Sequence, residues 1–175
     1  MFKKINYIFF FILILLINNN VFAQDKIAFI DLNYLYNNST AGKKINNQIE
    51  DKRKKVNSEF QQGKKKIDGK KEKLLSQRNV IEEVEFKKKF VQLEDEIKEF
   101  NIKISNKQKE ISKFNNKAKI EFSNKLRLIL EDFSKENSIA MIIRKENLLI
   151  GKSNLDVTKN ILDLLNKKVK EIKVN

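Results

Sequence analysis

Through the second half of its central region the chain places apolar residues at Phe86, Phe90, Leu93, Ile97, Phe100 and Ile104. The pattern resumes at Ile111, Phe114, Ala118, Phe122, Leu126, Ile129 and Phe133. The steps alternate between four and three residues, with Lys107 filling the one gap and a phase shift between Ala118 and Leu126. This is the seam of a long helix packed on a partner helix. A weaker stripe precedes it at Ile45, Ile49, Val56, Phe60, Ile67, Leu74 and Ile81, with Lys52, Gly63 and Lys70 at intervening seam positions. A weak stripe followed by a strong one predicts two helices folded back as an antiparallel coiled-coil hairpin. The chain holds no Pro and four Gly. These residues cost a helix interior about 3 and about 1 kcal/mol, so their scarcity supports long uninterrupted helices.

The arm spans residues 42–136, with its tip expected near 76–81. Arg78 suits the C-terminal end of the first helix. Asn79 and Glu82 have the spacing of a capping box, and Glu83 and Glu85 suit the N-terminal end of the second. A turn at Gly63–Gly69 would leave helices of very unequal length. Those glycines are expected instead to soften the arm. From Gly42 to Arg78 an α-helix would extend roughly 55 Å.

The flanks read differently. Lys26–Asp31 (KIAFID) suits a short buried strand. Ile139–Ile143 and Leu148–Ile150 are apolar runs around the polar Arg144–Asn147, which predicts a β-hairpin. Asp156 is the expected N-cap of a last helix with Val157, Ile161, Leu164, Leu165 and Val169 as its apolar stripe. Residues 24–41 and 137–175 would therefore form a β-strand and helix body, with Ile27, Phe29, Ile139, Met141, Ile143, Leu148 and Ile150 as its strand residues. So small a core points to oligomerisation. The fold class expected is mainly α with a small β body, the helical hairpin being inserted between the first strand and the C-terminal β-hairpin plus helix.

Residues 1–23 have the order of a secretory signal: Lys3 and Lys4, the apolar run Ile8–Ile17, then Val21-Phe22-Ala23 before a cut at Gln24. The run is well short of the roughly 20 residues that span a bilayer, which disfavours an uncleaved anchor. Cleavage between Ala23 and Gln24 would take the net charge from +14 to +12 and place the mature chain in the periplasm.

The remaining charge is uneven. Residues 43–78 hold 13 basic and 5 acidic residues, net +8, whereas residues 82–136 hold 13 and 12, net +1. The excess sits at Lys52, Lys54 and Lys55, at Lys64, Lys65 and Lys66, and at Lys70, Lys71 and Lys73. Such a field attracts an acidic polymer or an anionic membrane surface. The plainer readings are a solvated helix face and the codon usage of an AT-rich genome. Nucleic acid is disfavoured, because Lys outnumbers Arg 33 to 4 and base readout leans on Arg.

Catalytic and metal chemistry find no support. Without His or Cys there is no imidazole or thiolate to serve as ligand, base or nucleophile. Glu94-Asp95-Glu96 are adjacent on a helix and do not share a face. Gly151-Lys152-Ser153 lacks the earlier glycine of a phosphate-binding loop. No enzyme activity, metal or cofactor is expected.

Taken together, KIAFID, the Lys/Glu-rich hairpin, IAMIIRKENLLIG and LDVTKNILDLLNK resemble the Skp (OmpH) family of periplasmic chaperones for outer-membrane proteins. The likeness spans essentially the whole mature chain. Its most specific parts are Lys26–Asp31 and Leu155–Asn166, where Asp156, Thr158, Leu165 and Asn166 match the family pattern. The resemblance implies a homotrimer with a β body and three helical arms around a cavity. Unfolded outer-membrane proteins would be held there without ATP. The rival reading is a structural coiled-coil protein of the envelope, a spacer or anchor without chaperone activity.

Overall fold

A computed structural model describes residues 26–174. The order of elements is strand β1 (Lys26–Ile30), helices α1 (Leu32–Asn38), α2 (Thr40–Ser76) and α3 (Glu83–Asn137), strand β2 (Ile139–Arg144) and helix α4 (Thr158–Lys168).

 Each helix follows from its stripe and its caps. Asp31 opens α1, its Oδ1 accepting the Tyr34 N–H at 2.8 Å. Ser39 is fully buried and opens α2, its Oγ accepting the Gly42 N–H at 3.1 Å. α3 ends on Ser138, whose left-handed backbone (φ 54°, ψ 47°) turns its N–H back to the Ser134 carbonyl. No helix among the described residues is long and apolar enough to cross a membrane.

α2 and α3 run antiparallel as the arm, and the chain reverses through residues 77–82. α3 begins at Glu83, with Glu82 in the cap position and no side-chain cap bond. The capping box expected at Asn79 is therefore not formed. The turn continues with Val80 and Ile81 N–H groups bonded to the Gln77 carbonyl, which uses those residues before a helix can start at Asn79.

The sheet corrects a second expectation. β1 and β2 pair in parallel, with Ile27 opposite Met141, Ala28 opposite Ile142 and Phe29 opposite Ile143. Parallel strands need a long crossover, and the arm is that crossover. Leu148–Ile150 forms no strand, so the C-terminal β-hairpin is absent among the described residues. After β2 the chain makes a 3₁₀ turn at Lys145–Asn147 and passes over the Phe29 ring at Gly151, where a Cβ would lie 2.9 Å from Phe29 Cε1. It then reaches the far edge of β1, where the Val157 N–H donates to the Phe29 carbonyl at 3.0 Å. The apolar run that reads as a strand is thus a loop carried across the sheet, with Leu149 and Ile150 exposed.

The core sits at the base of the arm. Leu35, Ala41, Ile45, Phe122, Ile161 and Leu165 are each at most 1% exposed and belong to one apolar cluster joining α1, α2, α3 and α4. Further out, α2 buries no residue between Ile49 and Leu74. Over the outer arm the buried residues are on α3, at Leu93, Ile104 and Ile111.

Gly63 has a different part from the softening expected of it. A Cβ there would meet Phe100 Cε2 at 2.2 Å, so the glycine admits the Phe100 ring between the helices, where it stacks on Phe60 at 6.0 Å. Gly69 has nothing within 4 Å of its Cβ position. Gly69→Ala is therefore expected to stabilise the arm by about 0.5–1 kcal/mol through helix propensity. Gly63→Ala should destabilise it by displacing Phe100. Thermal denaturation of the two variants side by side tests this pair of opposite signs.

Candidate functional site: the basic arm and its base

Lys52, Lys54, Lys55, Lys64, Lys65, Lys66, Lys70, Lys71 and Lys73 all lie exposed along α2. Their surroundings differ. Lys54 approaches Glu50 at 4.0 Å and Lys64 approaches Asp68 at 3.2 Å, both within one helix face. Such exposed pairs contribute little to stability. Lys65, Lys66, Lys71 and Lys73 form no ion pair among the described residues and leave their charge to solvent.

The polar seam positions are resolved across the arm. Lys52 Nζ lies 4.9 Å from the centre of the Phe114 ring, a cation–π contact. Lys70 pairs with Glu96 on the facing helix. Lys107, in the gap of the strong seam, reaches Glu59 Oε1 at 2.7 Å. Sequence periodicity marks these lysines as interruptions, but it does not identify their partners.

The hydrogen bond from Lys107 holds the Glu59 carboxyl below its usual pKa against the opposing effect of partial desolvation; the charges of Lys107, Lys103 and Lys55 act in the same sense as the bond. Asp132 is held low and Lys168 high by their mutual hydrogen bond at 2.9 Å, which ties α3 to α4. A depressed carboxyl contributes stability that is present above the unfolded value, about 4.3 for Glu, and lost as pH falls through the folded value. The mid-arm is thus expected to lose amide protection below about pH 4. Glu59→Gln should remove much of that acid-side change, as hydrogen exchange in α2 would report.

The base is closed by side chains from both ends of the chain. Thr158 Oγ1 accepts the Asp31 N–H at 2.9 Å, and Asp156 Oδ1 accepts the Thr158 N–H at 2.9 Å. Val157 occupies the formal cap position of α4, so Asp156 serves the helix from one residue earlier than expected. Asn166 Oδ1 accepts the Thr40 N–H at 2.7 Å, which satisfies a free donor in the first turn of α2. Lys145 Nζ stands 4.0 Å from both Asp31 and Asp156. Asp156, Thr158 and Asn166 thus join the C-terminal segment to the start of the arm, and Leu165 is fully buried beside them.

In the body, strand alternation puts Ala28, Ile30 and Ile142 toward the core and Ile27, Phe29, Met141 and Ile143 on the other face. Phe29 is covered, but Ile27 and Met141 are half exposed. Ile139 pairs with Lys26 at the end of the sheet, whereas Leu148 and Ile150 lie outside it. The proposed cleavage residues Ala23 and Gln24, with the rest of 1–23, lie outside the described residues.

Residues 26–165 match the family model described as Outer membrane protein (OmpH-like). No curated protein matches the chain in sequence. Among solved structures, the chain is similar to an OmpH-like protein of Caulobacter crescentus CB15, provisionally assigned as an outer membrane chaperone. The two are 15% identical with a TM-score of 0.79, over 86% of this chain and 89% of that one.

Proposed function

Because the chain belongs to the OmpH-like family, a family of chaperones, we propose that it is an ATP-independent periplasmic holdase for unfolded outer-membrane proteins. The observation that carries this reading is the surface of the arm. Val80, Val84, Phe90, Val91, Ile102 and Ile120 are exposed on it, beside a segment, residues 43–78, of net charge +8. Unfolded barrel strands are apolar on one face and carry unpaired edges. A long-range field with many weak apolar contacts holds such chains without fixing a structure on them, and binding the unfolded state competes with aggregation by mass action.

The working form is a homotrimer. Ile27 and Met141 on the uncovered sheet face, together with Leu149 and Ile150, supply an apolar surface for partner copies. The N-terminal 23 residues act as a signal that is cleaved before Gln24. The same basic arm is suited to an anionic membrane surface.

Diluting a urea-denatured outer-membrane protein into the mature chain tests the reading. Light scattering should fall as trimer approaches molar equivalence with client. Unchanged scattering at molar excess would leave the envelope-spacer reading in its place. Reversing Lys64, Lys65 and Lys66 to Glu should slow capture, and raising the salt should shrink the difference between variant and wild type.

A further inference from the structure

Helix α4 ends at Lys168, and the chain continues along the base of the arm. The family match stops at Leu165, so this last segment lies outside the matched residues. Val169 leaves the helix in extended backbone (φ −127°, ψ 98°), and residues 170–174 form neither helix nor strand. Ile172 is 4% exposed and belongs to the core cluster at the base, and Val169 and Val174 pack against that cluster. Burial alternates from Glu171 to Val174: exposed, buried, exposed, half-buried. That is the pattern of an extended segment with one face covered. Glu171, one residue before the buried anchor, reaches Lys44 at the start of α2 at 3.9 Å.

Little else fastens the segment. The Val169 N–H donates to the Leu165 carbonyl at 2.8 Å, but no main-chain bond joins residues 170–174 to another main chain among the described residues. The Glu171–Lys44 pair is half exposed and so adds little. One isoleucine and two half-buried valines carry the attachment, which sets a closed-to-open ratio of about ten to a hundred. A segment held this weakly opens locally while the rest of the fold stays intact. We propose that residues 169–174 are a displaceable strap: they fill an apolar groove at the base of the arm, and an extended client segment of the same pattern takes their place. The strap itself defines the ligand. It is an extended chain, apolar at alternate positions, with a carboxylate beside the anchoring side chain to meet Lys44. A barrel strand alternates apolar and polar residues and fits this description. The inference rests on the holdase reading. It gives the apolar base a cover between clients and gives capture a threshold, since only the open fraction binds.

The test uses the full mature chain, a form ending at Lys168, and Ile172→Ser, which keeps the length and removes the anchor. One probe is a labelled ten-residue peptide of alternating apolar and polar residues that includes a Glu. The other is a labelled peptide of residues 169–175. Fluorescence anisotropy should show the first peptide binding the shortened chain about ten- to hundredfold more tightly than the full chain, with Ile172→Ser between them. The second should bind the shortened chain with a Kd of about 10–100 µM, given an effective concentration of about 1 mM for the tethered strap, and should displace the first. A lock keeps the core intact should the shortened chain unfold. The chain has no Cys, so Lys44→Cys with Glu171→Cys can be joined by a short bismaleimide. The joined form should lose peptide binding, and the same variant capped with a monomaleimide should keep it. Equal affinity in joined and capped forms overturns the proposal, as does unchanged or weaker binding by a shortened chain that retains its helicity. A changed assembly mass in the shortened chain also overturns it, by making the strap a contact between copies. Aggregation suppression by the wild-type chain is measured in parallel. Its failure removes the holdase reading, whereas suppression with equal binding in joined and capped forms removes only this inference.

Discussion

Gly42→Ala is expected to destabilise the protein by more than about 3 kcal/mol. A Cβ at residue 42 would fall 1.7 Å from the Tyr36 carbonyl oxygen and 2.7 Å from its carbon. Both are main-chain atoms at the end of α1, so no side chain can rotate away to make room. The backbone of α1 or of the first turn of α2 has to move. That movement strains the bond from the Gly42 N–H to buried Ser39 and the cap that Asn166 places on Thr40. Urea denaturation should show a large fall in midpoint, with the C-terminal helix released together with the start of the arm. Gly69→Ala provides the contrast in the same helix. A Gly42→Ala variant within about 0.5 kcal/mol of wild type would show that the α1–α2 junction is looser than its geometry implies.

Phe122→Ala should cost about 3–5 kcal/mol, the range for deleting a buried aromatic ring. Phe122 is 1% exposed, supports the Tyr36 ring, and lies in the cluster that joins three helices of the base to α4. Its loss leaves a cavity where all of these elements meet. Phe90→Ala removes the same ring from the same heptad stripe, but Phe90 is 45% exposed and the effect should stay well below that of Phe122. Denaturation midpoints of the two variants compare them directly. Equal effects would mean that the outer arm is as tightly packed as the base. Phe122→Leu, which keeps much of the volume, should fall between Phe122→Ala and wild type.

That difference between two phenylalanines of one stripe marks how far sequence reasoning reaches. Periodicity identifies the helices because a helix exposes a repeating face whatever packs on it, and both residues satisfy the repeat. Depth depends on what else arrives. Tyr36 of α1, remote in sequence, packs its ring on Phe122 within the cluster at the base, while Phe90 stays 45% exposed. The seam lysines follow the same logic: Lys107 breaks the apolar pattern, but only the facing helix supplies Glu59. Ser138 is harder to find, since its left-handed backbone is the usual place of Gly and its composition carries no signal.

The missing hairpin has a related cause. Leu148–Ile150 is apolar enough for a strand, but an apolar run records only the need for cover. The chain meets part of that need by crossing over Phe29, and it leaves Leu149 and Ile150 outward. Likewise Asn79 has the chemistry of a cap, yet the hydrogen bonds of the turn at Gln77 delay the helix to Glu83. Local propensity competes with the geometry of reversal, and the reversal prevails.

By itself the sequence determined the long helical hairpin, the short strand before it, the last helix and the placement of basic charge, because periodicity and charge are properties of neighbours along the chain. Tertiary structure alone decided that β1 pairs in parallel with β2, that Thr158 and Asn166 close on Asp31 and Thr40, and that the C-terminal segment brings Glu171 to Lys44 and Ile172 into the core. These contacts join residues more than a hundred positions apart, or on different helices. Their energies depend on distances that no local pattern encodes.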